Sequence, residues 1–561
     1  MQGRPLVRGG ITLLSGIDPV RHCERIADAV PVSDRTLYLC PSPLYGYGLR
    51  RLLERLETEA PNSAVLCIEA DPELWELSRE NIDSLSAAGN RLRVTNICET
   101  AELCVFVRET WGARAFRRIE TIKLSGGWRL FPELYGSLCE TLRREIAVDW
   151  SNAMTLARLG RLYIRNALRN LSLIPLFPSI TGLSFGETPV LVLGAGPSLD
   201  ETLDTLERRF SQWLRRGENR PFKIVCVDTC LGALKDRNII PDLAVILESQ
   251  HWNLRDFIGC RGWDVPAAID LSALPLSAQM LAGRGFLFMT PWTPLTIFER
   301  LRESGLLPAS FPPLGSVGLT AVELARRVSC GKIICSGLDF SFTVDKYHAR
   351  STPGHRGGLN AQTRLRSSAN AAAFDTASFA AVSKSGAPVY SNPVMQNYRN
   401  LFKQEFAGDP RLFDITGSGL PLGIKTLSLE DAMLMLTAVS KRNEKREVNL
   451  SNPAILKEKL LTFLNDEKVR LEELRDILTG RKDGHERLNA LVDECDYLWA
   501  HFPDYSGGRR PGFGEITGGS QAALSFLKRL RTEIDPMLDL IKRVDPYLPY
   551  ALFEKISLKT P

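Results

Sequence analysis

The sequence predicts an α/β protein: two regions built on mostly parallel sheets, then a helical C-terminal region. Three observations carry this. Short, wholly apolar runs alternate with helical patterns, the mark of strands buried on both faces of a parallel sheet. Several of these runs end in glycine or polar residues and open directly into amphipathic stretches. Past about residue 427 the strand signals fade and heptad-like runs replace them. The chain has 561 residues, room for three or four domains at about 100–200 residues each. Its 44% hydrophobic and 24% charged residues are enough to bury a sizeable core.

Four regions follow: an N-terminal α/β domain at 1–130, a helical bridge at 131–187, a central doubly wound domain at 188–425 and a helical domain at 426–561. In the first, T-L-Y-L-C-P-S-P-L-Y-G-Y-G-L, a helix pattern and A-V-L-C-I-E-A-D-P-E-L-W have the spacing of a βαβ unit. Over 134–172, Leu156, Leu159, Tyr163 and Leu168 give a partial apolar stripe, so a helix is expected. The central strands are expected at 190–193, 223–227, 243–247, 266–269, 286–288 and 332–336. In the last region A-I-L-K-E-K-L-L-T-F-L and A-A-L-S-F-L-K-R-L-R-T-E-I read as helices, with a loop at 506–520 between them. The polar run 441–447 reads as a solvated helix face or linker. No internal repeat has a fixed period.

Bulk chemistry narrows the function. The net charge of +5 is small for this length. No basic stripe is interleaved with aromatics, so a nucleic-acid partner is not indicated, and an anionic small molecule suits the balance better. None of the twelve cysteines forms C-x-x-C, and several sit in strand-like runs such as I-V-C-V-D and I-I-C-S-G. They read as buried small hydrophobes in a reducing compartment. The N-terminus lacks a signal-peptide core and no apolar run reaches the roughly 18 residues of a membrane span. A cytoplasmic protein is expected.

The strongest local signal is V-L-V-L-G-A-G-P-S-L-D at 190–200. Val190–Leu193 is a buried strand. Gly194 and Gly196 permit a tight turn and close backbone approach, and Pro197 has the fixed φ of a first helical turn. Leu199, Leu203, Leu206, Phe210 and Leu214 then recur at helical spacing, and Ser198 with Glu201 fits a capping box. Free amides and the positive end of the helix dipole favour a phosphate there. A plain, well-capped β–α turn is the alternative. A dinucleotide fingerprint is a poorer fit. The third glycine is missing, a proline stands where an amide donor is usual, and the next acidic strand end, Asp228, comes about 30 rather than 20 residues on.

Other strand ends carry polar groups: Asp228 and Thr229; Glu248, Ser249 and Gln250; Gly337 and Asp339. A second glycine turn, Gly315-Ser316-x-Gly318, enters a helix whose cap pattern is Thr320 with Glu323. Carboxyl ends of parallel strands share one edge of the sheet, where ligands bind, so these groups are expected to converge. The segment T-V-D-K-Y-H-A-R-S-T-P-G-H-R-G-G (343–358) reads as a lid or substrate loop. It holds His348, either a general base or a solvated loop histidine. Asp345, His348 and His355 lack the spacing of a metal site, so no metal ligands are assigned.

The motifs V-L-G-A-G-P-S-L, C-V-D-T-C-L-G-A-L-K-D-R-N-I-I-P-D-L-A-V-I-L-E-S-Q, G-S-V-G-L-T-A-V-E-L-A and I-I-C-S-G-L-D-F-S-F-T…Y-H-A run in order over about 190–350. They resemble the motility-associated Maf flagellin glycosyltransferases, whose central domain is similar to MptE-type 6-hydroxymethylpterin pyrophosphokinases. The resemblance implies a Rossmann-like N-terminal domain, a sialyltransferase-like central domain and a helical C-terminal domain. It implies transfer of a nonulosonic, sialic-acid-like sugar from its CMP-activated form to Ser or Thr hydroxyls of flagellin, for flagellar assembly and motility. The partners are then flagellin and the nucleotide sugar; no cofactor is tightly bound, and Mg²⁺ is left open. By resemblance, Gly194, Gly196, Pro197, Ser198, Asp228 and Thr229 contact the nucleotide, and Gly315, Gly318 and Gly337 shape the same site. Glu248, Ser249, Ser316, Asp339 and His348 line the sugar and acceptor side, with His348 as base and Asp339 and Glu248 as further catalytic groups. Two alternatives stand beside this one. The first is a pterin pyrophosphokinase using ATP and Mg²⁺, with Asp228, Asp242 and Asp339 as carboxylates for the ion. The second is a non-catalytic flagellin-binding scaffold.

Overall fold

Alternation along Thr36–Pro41 builds the first sheet. Leu37 and Leu39 face one core, with Leu103, Val107 and Leu138, while Tyr38 and Cys40 face another, with Leu49, Leu52 and Ile82. A strand apolar on both faces needs helices on both sides, the parallel-sheet solution. The computed structural model describes residues 6–85, 91–112, 115–214, 220–365, 370–438, 452–502 and 521–544. The expected polar run at 441–447 and loop at 506–520 lie outside them. The chain divides into two compact units, Met1–Arg161 with Leu498–Leu530, and Leu162–Tyr497 with Arg531–Pro561.

In the first unit, β1 (Leu6–Arg8) and β2 (Ile11–Leu14) form an antiparallel pair. Strands β3 (Thr36–Pro41), β4 (Ala64–Ile68), β5 (Leu92–Thr95) and β6 (Arg118–Thr121) form a parallel sheet in the order β5-β4-β3-β6. Helices Leu49–Glu59, Pro72–Leu85 and Thr100–Trp111 make the crossovers. The expected βαβ unit is β3, its helix and β4. The expected bridging helix spans Pro132–Asn170, 39 residues.

The second unit is built on β7 (Val190–Leu193), β8 (Lys223–Val227), β9 (Leu243–Ile246), β10 (Ala267–Asp270), β11 (Gly285–Phe288) and β12 (Ile333–Ser336). They match the six expected strands to within a residue or so. A hairpin, β13 (Phe379–Val382) and β14 (Pro388–Ser391), follows. Two strands the sequence did not reveal, β15 (Leu412–Ile415) and β16 (Lys425–Leu427), extend the main sheet to eight in the order β11-β10-β9-β8-β7-β12-β15-β16, every pair parallel. β15 escaped notice because the buried Asp414 interrupts its short apolar run, and β16 because it is a three-residue edge strand.

Helices Pro453–Leu478 and His485–Glu494 belong to this same unit. Glu467, 1% exposed, fastens the first of them. Its carboxylate accepts from Arg300 at 2.6 and 3.0 Å and from Arg470 at 2.7 Å. All twelve cysteines are free, and ten are buried. Among the described residues no helix is long and apolar enough to cross a membrane.

Candidate active site

The strand order reverses at β7: β8 to β11 step away on one side, and β12, β15 and β16 lie on the other. The carboxyl edge of the sheet carries two polar clusters.

The first lies on β7, β12 and β15. The turns after β7 and β12 meet backbone to backbone. The Gly194 amide donates to the Ser336 carbonyl and the Gly196 amide to the Gly337 carbonyl, both at 2.8 Å. A Cβ at Gly194 would sit 2.5 Å from the Gly337 carbonyl oxygen, and one at Gly196 2.5 Å from the Asp339 carboxylate, which is why both positions are glycine. Asp339, 2% exposed, accepts from the Ser198 amide at 2.7 Å and the Ser198 hydroxyl at 2.5 Å. This corrects the expected phosphate cradle. The amides of Gly194, Gly196 and Ser198 are committed within the protein, and Asp339 is itself the anion at the start of helix Leu199–Leu214. The Ser198 hydroxyl serves Asp339 rather than a capping box. Close by, Asp414 at the end of β15 pairs with Lys384 at 2.8 Å, both nearly fully buried.

The predicted lid is fastened down. The Ala349 amide donates to the Ala195 carbonyl at 2.9 Å, while the Arg350 amide and the Lys346 ammonium reach the Asp200 carboxylate at 2.9 and 2.7 Å. Thr352 caps a helix, Pro353–Asn360, that the sequence reading took for loop. Within this segment His348 Nδ1 lies 3.3 Å from the Ala195 carbonyl. A carbonyl only accepts, so that nitrogen carries the proton and Nε2 is the free base. Burial holds the His348 pKa below the usual histidine range, so the ring is neutral at pH 7. Its far edge packs on Gly354, where a Cβ would lie 3.2 Å from Nε2.

The second cluster lies on β8, β9 and β10. Asp228, 2% exposed, accepts from the Thr229 amide at 2.9 Å and from Asn253 at 2.6 Å. Asn253 also donates to Asp256 at 3.1 Å and accepts from Ser277 at 2.6 Å. Burial pushes the Asp228 carboxyl well up and the charge of Asp256 adds to it; burial raises Asp256 too. Glu248 is exposed, and its carboxylate accepts from the Gln250 amide at 2.9 Å. Beside it stand two phenols. Burial pushes Tyr163 up to about 12, with Glu248 adding, and raises Tyr398 in the same way. Tyr398 also reaches the Gly315 turn, where φ is +68°. Ser316 is the N-cap residue of helix Val317–Val328 but makes no side-chain cap bond. Thr320, expected in a capping box, lies inside that helix and donates to the Ser316 carbonyl at 3.1 Å. Gly318 packs against Leu338.

Four residues here went unnoticed in the sequence reading: Tyr163 as a site group, Asn166, Asn253 and Tyr398. Asn166 and Asn170 are each 1% exposed. Asn166 donates to the carbonyls of Ser249 and Ser272, and Asn170 to those of Leu271 and Ala273, so one helix pins the ends of β9 and β10. The signal was available as N-A-L-R-N, two asparagines four apart on the buried stripe. The Asn166 Oδ1 is buried without a partner, and the Ser249 hydroxyl lies beside the Tyr163 phenol without a well-formed hydrogen bond. Buried polar atoms left open at a sheet edge mark a place for a polar ligand or water.

The Asp228–Asp256 pair has a consequence in solution. An unfolded aspartate titrates near 3.8, while the folded carboxyls hold their protons to higher pH. The stability they confer is therefore present below pH 3.8 and lost as pH rises through the folded values. Melting curves from pH 5 to 8 should show the native chain losing stability and Asp228→Asn losing less. Equal slopes for the two proteins would refute this account of the pair.

The geometry defines an α/β protein with buried polar atoms left open at the carboxyl edge of its central sheet. Comparison with known proteins adds a domain family and a fold likeness. Residues 163–345 match the family model described as 6-hydroxymethylpterin diphosphokinase MptE-like. The structure of MAf glycosyltransferase from Magnetospirillum magneticum AMB-1 superposes with a TM-score of 0.50 at 14% identity, over 100% of this chain and 88% of that one. A Treponema pallidum (strain Nichols) protein, described as uncharacterized, is 29% identical over 545 residues, 93% of this chain and 90% of its own. The chain thus has an MptE-like domain over residues 163–345, and its fold is like that of the Maf glycosyltransferase.

Proposed function

We propose that this protein is a glycosyltransferase that moves a nonulosonic sugar from a CMP-activated donor to Ser or Thr hydroxyls of flagellin. The observation that carries the reading is the group of open polar atoms at the ends of β9 and β10. Ser249, Asn166, Tyr163 and Tyr398 supply hydroxyl and amide groups suited to a sugar, with the Glu248 carboxylate exposed beside them. Departure of CMP needs its developing charge stabilised, and the acceptor hydroxyl must lose a proton. In this reading Glu248, the exposed carboxylate at this edge, takes it. Both His348 and Asp339 act behind the turn at 194–198, the first holding the Ala195 carbonyl and the second capping the helix.

The match to a diphosphokinase family favours a second reading, ATP- and Mg²⁺-dependent pyrophosphoryl transfer. Two of the three carboxylates suggested for the ion do not suit it. Asp242 precedes β9, at the opposite end of the sheet from Asp228, and is paired with Arg220 and Lys223. Asp339 is bound to Ser198. Among the described residues no three His, Cys, Asp or Glu side chains group as metal ligands.

Melting with CMP, CDP, UDP, ATP, NAD and S-adenosylmethionine, with and without Mg²⁺, separates the readings. CMP at 100 times its Kd should stabilise by about 2.7 kcal/mol. Glu248→Gln should keep that shift yet lower transfer, read as the mass gain of flagellin, by roughly 100-fold or more. A shift with ATP and Mg²⁺ alone would replace the first reading by the second. Flagellin bound without any gain in mass would leave the scaffold.

A further inference from the structure

The first unit contains a cavity of about 930 Å³, within the size range of small-molecule sites, roughly 300–1,000 Å³. One wall is Lys123–Gly126, the segment directly after β6. The others are the β2 end with its following turn and the start of helix Pro19–Ala29. The sheet order reverses at β3, with β4 and β5 on one side and β6 on the other, and doubly wound sheets take ligands at such points.

The seat on the β4 side is filled by the protein itself. Glu69, at the end of β4, is 1% exposed. Its carboxylate accepts from the Ser42 and Ser78 hydroxyls, both at 2.9 Å, and from the Asp71 amide at 3.1 Å. It has no room for a ribose. The open volume lies on the β6 side.

That volume is cationic. Lys123, Arg129 and His22 reach it, and no aspartate or glutamate lines it. Neither Lys123 nor Arg129 pairs with a carboxylate among the described residues. Instead both lie over Trp128, with the Lys123 ammonium 3.7 Å and the Arg129 guanidinium 5.6 Å from the ring centroid. Cations resting on an aromatic face, with an apolar wall beside them, suit an anion attached to an apolar body. Leu14, Ile17 and Ile26 form that wall, and Ile17 is left 74% exposed at the rim.

We infer that this cavity is a second binding site, for a small organic anion: a phosphate, sulfonate or carboxylate on an apolar or aromatic body of up to nucleotide size. The anion sits at Lys123 and Arg129. This site is independent of the central domain and of the function proposed for it.

Fluorescence titration of the full chain with 8-anilinonaphthalene-1-sulfonate tests it at low salt. Binding should saturate at one equivalent, phenyl phosphate or AMP should displace the probe, and Trp128→Phe should reduce energy transfer from tryptophan. Lys123→Glu/Arg129→Glu should weaken binding at least tenfold. Both side chains are exposed, so the fold should survive, and an unchanged melt checks this. If the melt does change, Lys123→Gln/Arg129→Gln should still weaken binding threefold or more. Equal affinity in the altered proteins would overturn the inference. So would displacement by polyglutamate but not by small anions, which would make the cavity a groove for an acidic segment.

Discussion

Gly337→Val should lower the melting temperature of the central unit by roughly 6–20 °C, among the largest single-residue effects expected in this chain. Two terms add. Gly337 has φ +70°, a conformation that costs a residue with a Cβ about 1–2 kcal/mol and a β-branched one more. A Cβ there would also overlap the Gly194 carbonyl, so the backbone joint between β7 and β12 must open. Together they give about 3–5 kcal/mol, at roughly 2–4 °C per kcal/mol for a domain of this order. Gly357→Ala is the control. That glycine lies in helix Pro353–Asn360 with nothing within 4 Å, so alanine should be neutral or stabilising by about 0.5–1 kcal/mol. Similar melts for the two variants would mean that the glycine joint is not what holds these turns.

Lys384→Met should cost about 3–5 kcal/mol at pH 8, because it strands the Asp414 carboxylate in the interior. The native pair meets at 2.8 and 2.9 Å, with side chains 4% and 2% exposed. Even with the lysine present, burial pushes Asp414 up to about 6. Without the lysine it rises further, so the variant binds a proton near neutrality. Its deficit should therefore shrink as pH falls toward 5.5, since stability from a raised carboxyl is lost as pH rises through its folded pKa. Lys384→Met/Asp414→Leu should recover most of the loss at pH 8. If single and double variants melt alike, the stranded charge is not the cause.

The six central strands were legible because each is a short apolar run that ends in a turn, and burial on both faces demands that composition. β15 was not, since Asp414 sits in the strand with a partner, Lys384, that only the folded chain supplies. The turns at 194–198 and 337–339 were legible as glycine turns, but not as each other's hydrogen-bond partners. Amides that look free in sequence are used across two strands some 140 residues apart. Likewise the polar run at 343–358 reads as a lid until Asp200, buried 4% exposed at the start of a distant helix, collects Lys346 and Arg350. Of the site itself, the strand-end residues Asp228, Glu248 and Ser249 were visible. Tyr163, Asn166 and Tyr398 reach the same edge from helices whose register against the sheet no local pattern encodes.

The pairing of β7 with β12 also sets a timetable for synthesis. β7 is apolar and lies in the middle of the finished sheet, yet its partner on one side is made about 140 residues later. At roughly 5–20 residues per second, one edge of β7 waits roughly 7–28 seconds during synthesis with its hydrogen-bonding groups facing water instead of a strand. Strands β8 to β11 can stack on the other edge as they emerge, so a half-sheet forms first, with an exposed apolar border. The glycine turn at 194–196 is assembled only when β12 arrives, and the candidate site at the ends of β9 and β10 is complete only later, when helix Pro393–Phe406 brings Tyr398.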